Sequence, residues 1–239
     1  MISFFSKNKF WIFLSLLFLL LRLPSLFEPY WYGDEGIYLT LGQGIRKGLV
    51  LYQQIHDNKP PTLYYLAALG QTVFGFRLLL MVVMVPTIIS FYKLCLHFFQ
   101  ENISKISTLV FVILTSIPFI EGNIANAEIF MLLPTILGFL LFLNAKENVH
   151  YLISGILLGL AFTIKIPVFI EALFLIFWIF IQNIEKIKKD FWKLFLQAFL
   201  LGIGFLIPTL IYLLYFYQLH ALIPFLSSSL LQNFSYLSS

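Results

Sequence analysis

Apolar residues form seven stretches along the chain, separated by short polar segments. A helix needs about 20 residues, with a range near 17–25, to cross the hydrocarbon core of a bilayer, and several of the stretches approach that length. The pattern predicts an all-α protein, a polytopic transmembrane bundle of about seven spans. The stretches are Phe10–Phe27, Arg77–Phe99, Ile106–Ile120, Ile129–Leu143, Tyr151–Ile164, Pro167–Ile181 and Leu194–Tyr217.

The first stretch resembles a signal peptide, because Lys7 and Lys9 precede it. Its apolar run is long for a signal peptide, however, and 22–25 offers no pair of small residues for cleavage. We therefore expect an uncleaved first helix.

Composition supports membrane embedding, since 60% of the residues are hydrophobic and only 11% are charged. A soluble domain carries roughly 25% charged residues. The net charge of +4 does not indicate nucleic-acid binding, because the basic residues lie in short clusters between apolar runs. Cys95 is the single cysteine, which excludes an intrachain disulfide.

The positions of the basic residues predict an orientation, since cytoplasmic flanks of membrane helices are enriched in Lys and Arg. Placing the N-terminus in the cytoplasm puts nine of the fifteen Lys and Arg on that side. The segment Glu28–Phe76 and the short loop Glu121–Ala127 then share the outer face. The nine are Lys7, Lys9, Lys93, Lys105, Lys146, Lys186, Lys188, Lys189 and Lys193.

The long outer loop is predicted to contain two juxtamembrane helices. Asp34 is placed to cap a helix from about Glu35 to Lys47, which Gly48 would end. An extended piece, Leu49–Ile55, would follow. Leu63–Gly75 is too short to span and is predicted to be interfacial.

Asp34 and Glu35 open this loop, and either a cap or a catalytic carboxylate accounts for Asp34. Partial burial would raise its pKa towards the range of a general base. Lys59, followed by Pro60 and Pro61, is either an interfacial lysine or a rigidly held cation for a phosphate.

The positions of the other charged residues have simpler structural explanations. Glu128 starts an apolar run, where it would stabilise a helix N-terminus. Lys165 is predicted at a hairpin tip, with Glu171 as its ion-pair partner. Arg22 and Arg77 end their helices at the outer face, where they could meet phosphate or headgroups. His56 beside Asp57 is a weak pattern for a metal site.

These residues occur in motifs that resemble a known group of enzymes. In order, the motifs are Trp31-Tyr-Gly-Asp34-Glu35-Gly-Ile-Tyr38, Asp57-Asn-Lys59-Pro60-Pro61, Phe74-Gly75-Phe76-Arg77 and Asn126-Ala-Glu128. Their order and spacing are similar to those of the GT-C membrane glycosyltransferases. Within these, the chain looks like the protein O-mannosyltransferases, the aminoarabinose transferases acting on lipid A, and the lipid A galacturonosyltransferases.

The resemblance implies transfer of a sugar from a polyprenyl-phosphate-linked donor to a lipid, glycan or protein acceptor at the outer face of the plasma membrane. Its implied catalytic residues are Asp34 as base, Glu35 as its partner, and Glu128 on the acidic side of the cavity. Lys59 would bind the donor phosphate, with Arg77 as a weaker candidate. The implied substrate-binding set is completed by Tyr38, His56 and Asp57. No cofactor and no metal ligand is expected.

Two other functions remain open from the sequence. A lipid-linked-sugar transporter or flippase component would need no catalysis, but transporters usually place charges near the bilayer midplane. A structural subunit would leave the Asp-Glu and Lys-Pro-Pro clusters unexplained. We expect residues 1–239 to form one membrane domain, with the catalytic outer loop at about 28–76. Because related enzymes are longer, the chain is expected to be a fragment, a truncated product or a minimal form.

Overall fold

The computed structural model describes residues 8–29 and 32–232, and all regular structure in this part of the chain is helical. Lys7, which precedes the first apolar stretch, and Trp31, which begins the first motif, lie outside these residues. The helices are α1 (Lys9–Arg22), α2 (Gly33–Arg46), α3 (Thr62–Gly70), α4 (Val73–Phe98), α5 (Glu101–Leu114), α6 (Ala127–Phe130 and Leu132–Leu143, interrupted at Met131), α7 (Asn148–Phe162), α8 (Val168–Ile181), α9 (Ile187–Gln218) and α10 (Leu222–Leu226).

The all-α prediction is confirmed, and each of the seven apolar stretches contains a helix. Three helical segments in the described residues are long and apolar enough to cross a membrane: Lys9–Leu26, Val73–Phe98 and Ile184–Gln218. Segments α6, α7 and α8 are apolar but shorter. Seven spans therefore stay a prediction.

The outer surfaces of these helices carry large apolar side chains. Leu20, Val82 and Ile211 are each exposed over more than half of their surface. A soluble monomer rarely exposes contiguous apolar patches of this kind, whereas lipid solvates them. The exposed surface therefore agrees with membrane embedding.

Close helix contacts at glycines hold α7 against α9. A Cβ on Gly155 would lie 2.1 Å from the Leu201 carbonyl oxygen, and one on Gly159 would lie 2.2 Å from that of Phe205. Gly204 of α9 approaches the Leu152 carbonyl oxygen in the same way. Small residues let helix backbones approach each other, which strengthens packing inside a membrane. The contact fixes α7 and therefore both loops at its ends.

The segment between α2 and α3 differs from the predicted extended piece. Leu51–Ile55 closes a tight turn, in which the Tyr52 N–H donates to the Ile55 carbonyl at 2.7 Å. Tyr52 adopts a φ of 68° and is buried against Phe216 and Phe225. Tertiary packing of this aromatic ring outweighs the strained backbone. The turn brings the chain back towards Lys59.

Loops distant in sequence meet at one end of the bundle, which we call the Lys59 end: residues 28–29 and 32–61, the loop 121–126 and the α7–α8 turn. The Asn123 side chain donates to Glu28, and the Ala125 N–H donates to Glu35. The two segments predicted to share one face therefore lie together. The opposite end, which we call the Lys146 end, consists of the α6–α7 and α8–α9 loops.

Candidate functional site

A cavity of about 460 Å³ opens at the Lys59 end. Its charged lining consists of Asp34, Asp57, Lys59 and Lys165. Apolar and amide groups complete it: Ile37, Asn58, Pro60, Ile166 and Pro167. A pocket of this size with a few convergent charges is suited to a small polar ligand.

Asp34 lies in the first turn of α2 and is not its cap, because the helix begins one residue earlier and Tyr32 takes the cap position. Its Oδ2 accepts hydrogen bonds from the Lys59 ammonium at 2.5 Å and from the Tyr38 hydroxyl at 2.9 Å. Burial raises the pKa of Asp34, but Lys59, Tyr38 and the charge of Lys165 together bring it below its ordinary value of 3.8. The sequence-based expectation of a raised pKa is therefore wrong for this state.

Lys59 is held by its backbone as well as by the prolines that follow it. The Tyr52 hydroxyl donates to its carbonyl at 2.6 Å, and its N–H donates to the Tyr64 hydroxyl at 3.1 Å. Tyr64 donates in turn to Asp57. The ammonium also lies 4.7 Å from the centre of the Tyr38 ring. Lys59 is thus a positioned cation at the cavity wall.

Lys165 pairs with Glu128 and not with Glu171, so the predicted hairpin pair is wrong. A hydrogen bond of 2.8 Å between the Thr62 and Thr163 hydroxyls ties the segment after Lys59 to the end of α7. The Thr62 N–H also donates to the Thr163 carbonyl. These bonds place two lysines, each with a carboxylate partner, at one cavity.

Glu35 and Arg77 form a second kind of ion pair, with both side chains fully buried. Arg77 donates to the two carboxylate oxygens at 2.8 and 2.6 Å. It also donates to the backbone carbonyls of Ser25, Glu28 and Pro29. All three of its side-chain nitrogens are therefore used inside the protein. This placement argues against phosphate binding by Arg77 and favours a structural role for the pair.

The remaining predicted residues are distributed around the cavity. Tyr38 is buried and reaches Asp34 with its hydroxyl, so it positions the carboxylate. Asp57 lines the cavity and accepts from the Asn58 N–H and the Tyr64 hydroxyl. His56 lies outside the cavity lining, and its Nδ1 is 3.1 Å from the Ser228 hydroxyl. Among the described residues, no group of three or more His, Cys, Asp or Glu is arranged to hold a metal ion.

Arg22 is also buried, contrary to its predicted exposure to headgroups. It donates to the backbone carbonyls of Thr115 and Asn123.

The sequence reasoning did not identify Tyr52 and Tyr64 as supports of Lys59. The sequence feature that points to these two residues is the cluster of tyrosines on both sides of the Lys-Pro-Pro motif. The partner of Lys165 lies 37 residues away in sequence, beyond the reach of a local pattern.

Comparison with known proteins provides an independent assignment. A family model described as dolichyl-phosphate-mannose-protein mannosyltransferase matches residues 58–212. Neither the curated proteins nor the solved structures gave a match. The matched region contains Lys59, Glu128 and Lys165, whereas Asp34 and Glu35 precede it. It covers more than half of the chain and confirms the resemblance to GT-C glycosyltransferases. The chain therefore belongs to the dolichyl-phosphate-mannose-protein mannosyltransferase family of membrane glycosyltransferases.

Proposed function

We propose that this protein transfers a sugar from a polyprenyl-phosphate-linked donor to a hydroxyl of a lipid, glycan or protein acceptor. The observation that carries the proposal is the pair of lysine–carboxylate contacts, Lys59–Asp34 and Lys165–Glu128, at one cavity. Glycosyl transfer from a phosphate needs a cation for the leaving group and a base for the acceptor. The cavity supplies both kinds of group.

Lys59 binds the donor phosphate in this proposal, and Lys165, which lines the same cavity, assists it. The phosphodiester of the donor carries one negative charge. When the bond between the anomeric carbon and the phosphate oxygen breaks, the departing phosphate gains a second. A second lysine therefore stabilises the transition state more than it stabilises the bound donor. This difference raises the rate of transfer.

Asp34 acts as the base after its lysine is engaged by the phosphate. The hydrogen bonds from Lys59 and Tyr38 both fall on Oδ2, so these two donors do not engage Oδ1. Donor binding shares the charge of Lys59 with the phosphate, which raises the pKa of Asp34 towards that of a useful base. Oδ1 then accepts the proton of the acceptor hydroxyl. The hydroxyl oxygen attacks the anomeric carbon opposite the phosphate, and the configuration inverts.

Glu128 is not a lining residue of the cavity, but its ion pair with Lys165 balances the charge of that lysine. Glu35 and Arg77 take no part in the chemistry under this proposal. They hold α2 against α4 and against the loop 121–126, so that Asp34 projects from a fixed helix.

We further propose that the Lys59 end faces the outside of the plasma membrane, with the N-terminus in the cytoplasm, and that residues 1–239 act as one membrane domain. The support is the distribution of charge. The Lys146 end contains Lys146, Lys186 and Lys193. The basic residues of the segment 28–76 are Arg46, Lys47 and Lys59.

The test is a transfer assay on the purified chain, or on a longer natural form if additional helices are needed. Asp34→Asn should lower the rate of transfer by about 10²–10⁴, the usual contribution of a general base. Glu101→Gln is the matched control, because Glu101 pairs with Lys105 beyond the far end of α4. Unchanged transfer in Asp34→Asn would move the base to another carboxylate. Donor binding and movement across the membrane without any transfer would favour a transporter.

A further inference from the structure

A second cavity lies at the Lys146 end, about 680 Å³ in volume. Its cations are Lys146 from the α6–α7 loop, Lys186 from the α8–α9 loop, and Lys193 from α9. Since α7 is 15 residues long and a helix rises 1.5 Å per residue, this cavity is roughly 22 Å from the Lys165 turn. It is therefore separate from the proposed transfer site.

The charges of this cavity favour an anion. Among the described residues, none of the three lysines forms an ion pair with a carboxylate. Glu147 and Asp190 also line the cavity, which leaves one net positive charge. Glu147 is occupied as the cap of α7, where its side chain accepts a backbone N–H. One net positive charge matches a phosphodiester, which carries one negative charge.

The polar lining suits a headgroup that also carries hydroxyls. Amide side chains surround the lysines, and each can donate and accept hydrogen bonds. They belong to Asn148, Gln182, Asn183 and Gln197. Polar atoms make up most of the exposed lining, in contrast to the helices on either side.

An aromatic surface on the other side of α9 indicates that the anion belongs to a lipid. Trp192 is 78% exposed, and its ring lies 6.1 Å from that of Phe195. Phe195 stacks with Phe191 and Phe199 along the helix. Exposed aromatic residues at a helix end lie at the level of lipid headgroups, where acyl chains begin. Lys193 lines the cavity and follows Trp192 directly in sequence, so the cavity and the aromatic surface lie at the same level along α9.

We propose that this cavity, formed by Lys146, Lys186 and Lys193, binds the headgroup of an anionic phospholipid from the leaflet whose headgroup level is marked by the aromatic surface of α9. Basic pockets between membrane helices are known to hold such headgroups. The lipid would bridge the α6–α7 and α8–α9 loops and hold the start of α9 in place. The site goes beyond the proposed transfer reaction and does not depend on it.

The binding test uses the full chain in detergent, titrated with phosphatidylglycerol and followed by native mass spectrometry. Lys186→Gln/Lys193→Gln should weaken binding about 30-fold, from roughly 1 kcal/mol for each lysine near an anionic lipid. The matched control is Lys188→Gln/Lys189→Gln, which removes the same charge from neighbouring positions outside the cavity. All four lysines are exposed, so thermal unfolding should be unchanged in both variants.

Equal weakening by both double variants would show general surface attraction and overturn the proposal. Retention of phosphatidylcholine as strong as that of phosphatidylglycerol would do the same. A parallel titration with inorganic phosphate tests whether the cavity binds a free anion instead of a lipid. If inorganic phosphate binds as tightly as the lipid, the site takes a free phosphate and the assignment to lipid is wrong.

Discussion

Glu35→Gln tests whether the second acid of the Asp-Glu pair is structural. The Glu35 carboxylate is fully buried and accepts three hydrogen bonds, two from Arg77 and one at 3.2 Å from the Ala125 N–H. Glutamine keeps the shape but removes the charge, and its amide nitrogen would face an arginine donor. The buried guanidinium then lacks its counter-charge. Breaking a buried pair in this way costs about 3–5 kcal/mol.

The assay is thermal unfolding in detergent with a dye that fluoresces on reaction with thiols. Cys95 is the single cysteine and is buried, so its reaction reports unfolding. Glu35→Gln should unfold at a clearly lower temperature than the parent. Glu35→Gln/Arg77→Met should lose less stability than the sum of the two single variants, because the pair is removed together.

A different result would refute this reasoning. If Glu35→Gln unfolds within about 1 kcal/mol of the parent and yet abolishes transfer, the carboxylate acts in the chemistry. Asp34→Asn is the comparison within the same helix turn. Asp34 is partly exposed and does not cap α2, so its loss should affect transfer far more than folding.

Three further predictions concern donor binding, pH and topology. Lys59→Ala should weaken binding of the lipid-linked donor much more than Lys47→Ala in a titration, because Lys47 is exposed at the end of α2; equal effects would make Lys59 a headgroup anchor. The pKa of Asp34 is below 3.8, so its ion pair stabilises the fold above that pH and the contribution is lost as the pH falls through the folded-state pKa. The stability difference between the parent and Asp34→Asn should therefore shrink under acid, and a constant difference would contradict the pairing. Cysteines introduced at Gln53 and Lys188 in a Cys95→Ala background should be labelled from opposite sides of the membrane, and labelling from the same side would rule out the proposed topology.

The helices themselves follow from the sequence. Each of the seven apolar stretches contains a helix, since a long run of apolar residues can satisfy its backbone in a membrane only by forming one. Gly48 ends α2 as predicted, because its φ of 85° is readily adopted only by glycine. The motifs also identified Asp34 and Lys59, which lie side by side although 25 residues separate them.

Tertiary structure alone decided the partners of the charged residues. Glu35 and Asp34 are adjacent in sequence, but successive residues on a helix point about 100° apart, so one side chain enters the core and the other reaches the cavity. Lys165 and Glu171 are near each other in sequence, but the turn at the end of α7 brings Lys165 to Glu128 instead. Such pairings depend on how helices and loops pack over long sequence distances. A pattern of apolar and polar residues records which positions are buried, but it does not record which charge each buried or half-buried group will meet.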